Sequence, residues 1–209
     1  MNSLRLTAFL FLLAMLACGD SETDDRREAQ AANADTAAPT PAGVIDSLLP
    51  IEEEIRRFRL ATPDSISRLD GGAPSREALV KAYVAAIEAK DSLALNRLLL
   101  SRTEYAWLVY PESELTRPPY RQKPSLAWFM MQNATDQGIA RVLNRHGGKP
   151  LGYRGYTCEA EPIVQGANRI WRQCRMRFTE NGAEVERKLF GGIIQREGTF
   201  KFLTYATDY

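Results

Sequence analysis

Trp171-Arg172-Gln173-Cys174-Arg175-Met176-Arg177-Phe178, then Asn181-Gly182, then Val185-Glu186-Arg187-Lys188-Leu189-Phe190: two alternating runs stand either side of a two-residue turn signal. Both central positions of a type I′ turn take positive φ, which Asn-Gly tolerates, so the stretch reads as a β-hairpin. With Asn181-Gly182 as the loop, Phe178 faces Val185, Cys174 faces Leu189 and Ile170 faces Ile193. One face then carries Ile170, Cys174, Met176, Phe178, Val185, Leu189 and Ile193. A slip of one residue would turn all of them outward, so turn chemistry and alternation support one register.

The same reasoning extends the sheet both ways. Glu197-Gly198 is a second turn and places Ile193 opposite Phe202. A longer turn near Gln165–Asn168, centred on Gly166, sets Tyr156 beside Met176 and Cys158 opposite Cys174. Directly opposed residues of an antiparallel pair are close enough for a disulfide, so a Cys158–Cys174 bond is expected. The last sixty residues thus read as four consecutive antiparallel strands. Their other face shows Trp171, Phe190, Ile194, Leu203 and Tyr205 among charges. A solvated face should alternate more cleanly, so this one is expected to be covered. The cover is either a second copy or the segment 44–60 folding back.

The 209 residues are 44% hydrophobic and 25% charged, with formal net charge +1, which suits one domain plus tails. Near-zero charge gives no reason to expect a nucleic-acid partner. Residues 1–17 have the form of a signal peptide: Arg5 in the n-region, then an apolar run from Leu6 to Leu16. Met15-Leu16-Ala17-Cys18 resembles a bacterial lipobox, with methionine where leucine is commoner. The resemblance implies lipid on Cys18, attachment to the membrane, and a place in the cell envelope, the periplasmic side of the outer membrane. Residues 18–43 are acidic at first, then rich in Ala, Thr and Pro and free of aromatics, as expected of a tether.

Residues 44–72 hold a short amphipathic helix and a linker: Ile51, Ile55 and Phe58 make one apolar stripe, and Glu52–Glu54 precede Arg56, Arg57 and Arg59. Ser75 caps a helix over Arg76–Lys90 with Leu79, Tyr83, Val84 and Ile87 on one face, and Asp91 caps a shorter one with Leu95, Leu98 and Leu99. Ser101-Arg102-Thr103-Glu104 fits a capping box opening a further turn or two. A loop over 111–124 leads to a long helix ending at His146 before Gly147-Gly148, with Trp128, Met131, Ile139, Val142 and Leu143 as its apolar face.

Helices followed by an antiparallel sheet define an α+β class, with helices packed on a curved sheet. That order, with the closing strand Gly198-Thr199-Phe200-Lys201-Phe202-Leu203-Thr204-Tyr205, resembles the NTF2-like (SnoaL-like, cystatin-like cone) superfamily. The domain so defined spans residues 73–209. The resemblance implies a conical cavity and a homodimer through the outer sheet face, with Trp171, Phe190, Leu203 and Tyr205 in the contact. Within the cone, Arg154, Tyr156 and Arg172 beside an apolar floor would suit a small amphiphile with an anionic end. No acid points inward from the sheet. An isomerase or dehydratase of this fold would need a helix-borne base such as Glu104 or Asp136, and His146 at a helix end suits a dipole partner. The sequence shows no metal-ligand spacing and no nucleophile–base motif, so neither cofactor nor metal is expected. The expected function is a non-catalytic, envelope-anchored domain that binds a ligand or a protein partner.

Overall fold

Helix starts fall where the capping residues place them. In the computed structural model, which describes residues 49–62 and 65–207, the Ser75 side chain accepts the Ala78 N–H and opens α2 (Arg76–Glu88). Asp91 does the same for Ala94 at the start of α3 (Ser92–Arg97). Ser101 and Glu104 form a reciprocal capping box on the short α4 (Arg102–Glu104). The chain then runs through a π-helical turn (Tyr105–Val109) and two 3-10 turns (Tyr110–Glu112, Glu114–Thr116) into α5 (Pro124–His146). Upstream, α1 (Ile51–Leu60) has three glutamates in its first turn and arginines in its last, a distribution that complements the helix dipole. The expected signal peptide, Cys18, the whole of the tether and residues 44–48 of the segment after it lie outside the described residues.

The sheet is antiparallel throughout but is two sheets. β1 (Gly155–Thr157), β4 (Arg175–Glu180) and β5 (Ala183–Arg187) form one, in the order β1-β4-β5. β2 (Ile163–Gln165), β3 (Asn168–Trp171), β6 (Gly192–Arg196) and β7 (Thr199–Thr204) form the other, in the order β2-β3-β6-β7. Each of the first three expected strands is thus broken in the middle, and the halves belong to different sheets.

The registers show why. Tyr156 pairs with Met176, Phe178 with Val185, Arg177 with Glu186 and Ile193 with Phe202, all as the sequence predicts. Cys158 and Cys174 are bonded. In the other sheet, Ile170 pairs with Ile194 instead of Ile193, and Gln165 with Asn168 around a tight Gly166-Ala167 turn. Both shifts are one residue, and both arise between Trp171 and Cys174, where Gln173 takes φ 51°. From one ladder to the other this strand takes five steps (Met176 to Trp171, Arg175 to Ile170) where its neighbours take six (Arg187 to Ile193, Thr157 to Ile163), so it is one residue short against both and its alternation changes phase at Gln173.

The phase change reverses the facing of the side chains before it. Trp171 enters the main core with Ile193 and Phe202, while Ile170 joins Ile194 in a second core on the other face. The expected outer patch of Trp171, Phe190, Leu203 and Tyr205 is therefore corrected. Trp171 is turned inward by the phase change. Phe190 and Tyr205 lie beyond strand ends, where alternation no longer binds them, and both are fully buried in the main core. Leu203 alone packs on the second face.

That face is covered from within the chain. Phe58 of α1, Leu69, the π-turn residues Tyr105, Ala106, Leu108 and Val109, and Ala127 of α5 pack against Ile170 and Ile194. Part of the cover is thus the segment before residue 60 folding back, in the form of α1. A buried ion pair pins it: Lys201 Nζ on β7 donates to both Glu104 oxygens at 2.8 and 2.9 Å and to the Asp70 carbonyl at 2.9 Å. Asn168 and Arg196 tie the Leu108–Glu112 segment to β3 and β6. On the opposite side α5 approaches β7 so closely at Gly138 that a Cβ there would lie 1.7 Å from the Tyr205 carbonyl oxygen.

Candidate functional site

The concave side of the sheets, where a conical cavity is expected, is filled. Tyr83, Phe190, Phe202 and Tyr205 stack with centroids 4.7–5.6 Å apart. Their two hydroxyls are satisfied, Tyr83 donating to the Leu189 carbonyl at 2.7 Å and Tyr205 to the Leu95 carbonyl at 2.8 Å. The polar residues expected inside the cone do not meet there. Arg154 is exposed at the head of β1, its N–H on the Arg177 carbonyl. Tyr156 is half-buried against the main core, where desolvation raises its pKa. Arg172, beside the phase change, lies on the other face.

There Arg172 lines an open groove of about 360 Å³ with Tyr105, Val109, Leu115, Gln122, Met130, Met131, Ile170 and Leu203, and Glu114 and Gln165 also reach it. Its floor is the second core, and its walls are the first turns of α5 and the loop after the π-turn. Tyr110 donates to the Gln122 carbonyl, and Gln122 Nε2 lies 3.3 Å from the Met130 sulfur, so the loop wall is held against α5. Burial, reinforced by Tyr110, raises the Tyr105 phenol above its usual range, which keeps its hydroxyl protonated as a donor. Arg172 lies 4.0 Å from Glu159, both side chains well exposed, so the guanidinium is only weakly engaged. A mostly apolar concavity with a few polar groups at its edge suits the apolar part of a ligand and orients its polar end.

The sequence reading missed Leu115, Gln122, Met130 and the turn residues of this groove. A signal was present: Leu126-Ala127-Trp128-Phe129-Met130-Met131 is six apolar residues in a row, more than one helix face can bury.

A larger pocket, about 600 Å³, opens beside the end of α5 and is more polar than the groove: Arg145, His146, Lys149, Thr179, Glu180 and Asn181 line it together with Pro150 and Leu151. Its acid is already partnered, Glu180 standing 3.1 Å from Arg145, 3.4 Å from Arg187 and 3.9 Å from His146. His146 is 4% exposed, its ring edge-on to Phe178. Burial holds its pKa below the ordinary 6.5; Glu180 opposes this, and Arg145 and Lys149 add to it. A base with a depressed pKa in the fold is bound by protons more tightly in the unfolded chain. Its stabilising contribution is complete above about pH 6.5 and is lost as pH falls below that value. The thermal midpoint should therefore fall more between about pH 7.5 and 5.5 in the native chain than in His146→Gln. An equal fall in both would contradict this.

The helix-borne acids have other partners. Glu104 is 1% exposed and bound to Lys201, Ser101 N–H and Asp70 N–H. Asp136 is exposed and accepts from Gln132. Among the described residues, no cluster of three or more His, Cys, Asp or Glu is placed to hold a metal ion, and no helix is long and apolar enough to cross a membrane. No family model, curated protein or solved structure matches the chain. What the structure defines is the class, an α+β domain of helices packed against two antiparallel sheets.

Proposed function

We propose that the protein is a bacterial envelope lipoprotein, anchored through Cys18 on the periplasmic side of the outer membrane, whose NTF2-like domain is a non-catalytic binding module. The carrying observation is the open apolar groove with Arg172 at its rim. Its chemistry suits an amphiphile with an anionic end, the ligand class the sequence suggests, received on the second face instead of inside the cone. The filled concave side and the engagement of Glu104 by Lys201 support binding over catalysis. The lipobox supports the address, since an apolar run followed at once by cysteine suits lipid attachment and a firm anchor.

Native mass spectrometry of the full chain from its producing cells tests the binding. An acidic amphiphile should accompany the native chain, leave on denaturation, and be absent from Met130→Asp, a substitution at a 56% exposed position that leaves the core intact. A native chain without such an adduct, or a variant that keeps it, would overturn the groove as the site.

A further inference from the structure

The loop Arg117–Lys123 carries Arg117, Arg121 and Lys123 and no acidic residue; the nearest carboxylates in the chain are Glu114 before it and Asp136 about three turns into α5. Leu126, Phe129 and Met130 follow at i, i+3 and i+4 on the outward face of α5, 48%, 65% and 56% exposed. Tyr120, 63% exposed, sits in the loop between the arginines. Among the described residues no carboxylate forms an ion pair with Arg117 or Arg121; Arg121 donates instead to the Leu49 carbonyl. The exposed apolar stripe and the basic loop are therefore contiguous in the chain, and Gln122 joins them by reaching Met130.

We infer that this face, the Arg117–Lys123 loop with the outward stripe of α5, docks on an anionic phospholipid surface. Apolar side chains enter the boundary between headgroups and acyl chains while neighbouring Lys and Arg meet anionic headgroups. Charge complementarity selects this occupant over a second copy. A twofold contact would bring the basic loops of both chains into one interface, where like charges repel. Met130 belongs to both the stripe and the groove, so docking sets the groove mouth at the lipid interface, the source of its amphiphile. The inference rests on the proposed envelope anchor for its access to lipid.

The test uses the full chain with Phe129 replaced by benzoylphenylalanine and, for reference, with the same photoreactive group at Lys81, an exposed position on α2. Each is illuminated with vesicles of phosphatidylethanolamine and phosphatidylglycerol, or of phosphatidylcholine alone. Lipid adducts should form at position 129 well above position 81. They should fall about tenfold or more with phosphatidylcholine or in Arg117→Glu/Arg121→Glu. Equal adducts at the two positions, no dependence on anionic lipid, or crosslinks joining two copies at position 129 would overturn it. Co-sedimentation with the vesicles reports the anchor separately. Anchored protein without the position 129 adduct would refute docking alone. Charge-dependent adducts in Cys18→Ser would show docking without the anchor.

Discussion

Lys201→Met should destabilise the domain by about 3–5 kcal/mol, because it leaves the Glu104 carboxylate buried without its cation. The two side chains are 5% and 1% exposed, and Lys201 Nζ makes three short bonds, two to Glu104 and one to the Asp70 carbonyl. The pair joins β7, the end of α4 and the Asp70 segment, so its loss loosens the cover of the second face. The thermal midpoint should drop by roughly 10 °C for a domain of this size. Lys201→Met combined with Glu104→Gln should cost less than the two single changes summed, since the carboxylate then no longer needs its cation. Additive losses, or a midpoint within a degree or two of the native one, would show that the pair is not coupled as its geometry implies.

Removing the Cys158–Cys174 bond should cost about 3 kcal/mol in the chain-entropy description, for a loop closed over 16 residues. The bond lies where β1 ends and β4 begins, beside the phase change at Gln173. It therefore ties the two strands where the regular ladder is interrupted and the Glu159 N–H donates to the Arg172 carbonyl at 3.0 Å. The double variant Cys158→Ala/Cys174→Ala, compared with the native chain in denaturant, measures the loss. The native chain under reductant should unfold at the same denaturant concentration as the variant. A variant as stable as the oxidised native chain would contradict the bridge's role in holding this junction.

Much of the fold was legible because its signals are local. Ser75, Asp91 and the Ser101–Glu104 box opened their helices, and Asn181-Gly182 and Glu197-Gly198 set two hairpin registers. The break at Gln173 was not legible by alternation, because a strand one residue short of its neighbours changes phase without changing composition. Trp171 and Cys174 both face the main core, an odd spacing that no regular strand permits. From that slip follow the split into two sheets, the inward turn of Trp171 and the outward turn of Arg172. Of the three residues expected to meet a ligand, Arg172 alone lines the groove. The groove's remaining residues come from the π-turn, the following loop and α5, which only tertiary packing brings together.

Titration of a fluorescent long-chain fatty acid into the full chain tests the binding groove most directly, with Arg172→Glu, Met130→Asp and Arg154→Glu beside the native protein. Saturable one-to-one binding is expected, weakened roughly tenfold by Arg172→Glu through loss of a charge-assisted contact. Met130→Asp should weaken it similarly, and Arg154→Glu should leave it unchanged. Binding that does not saturate, or that is equally strong in Arg172→Glu, Met130→Asp and the native chain, would contradict the groove as the binding site.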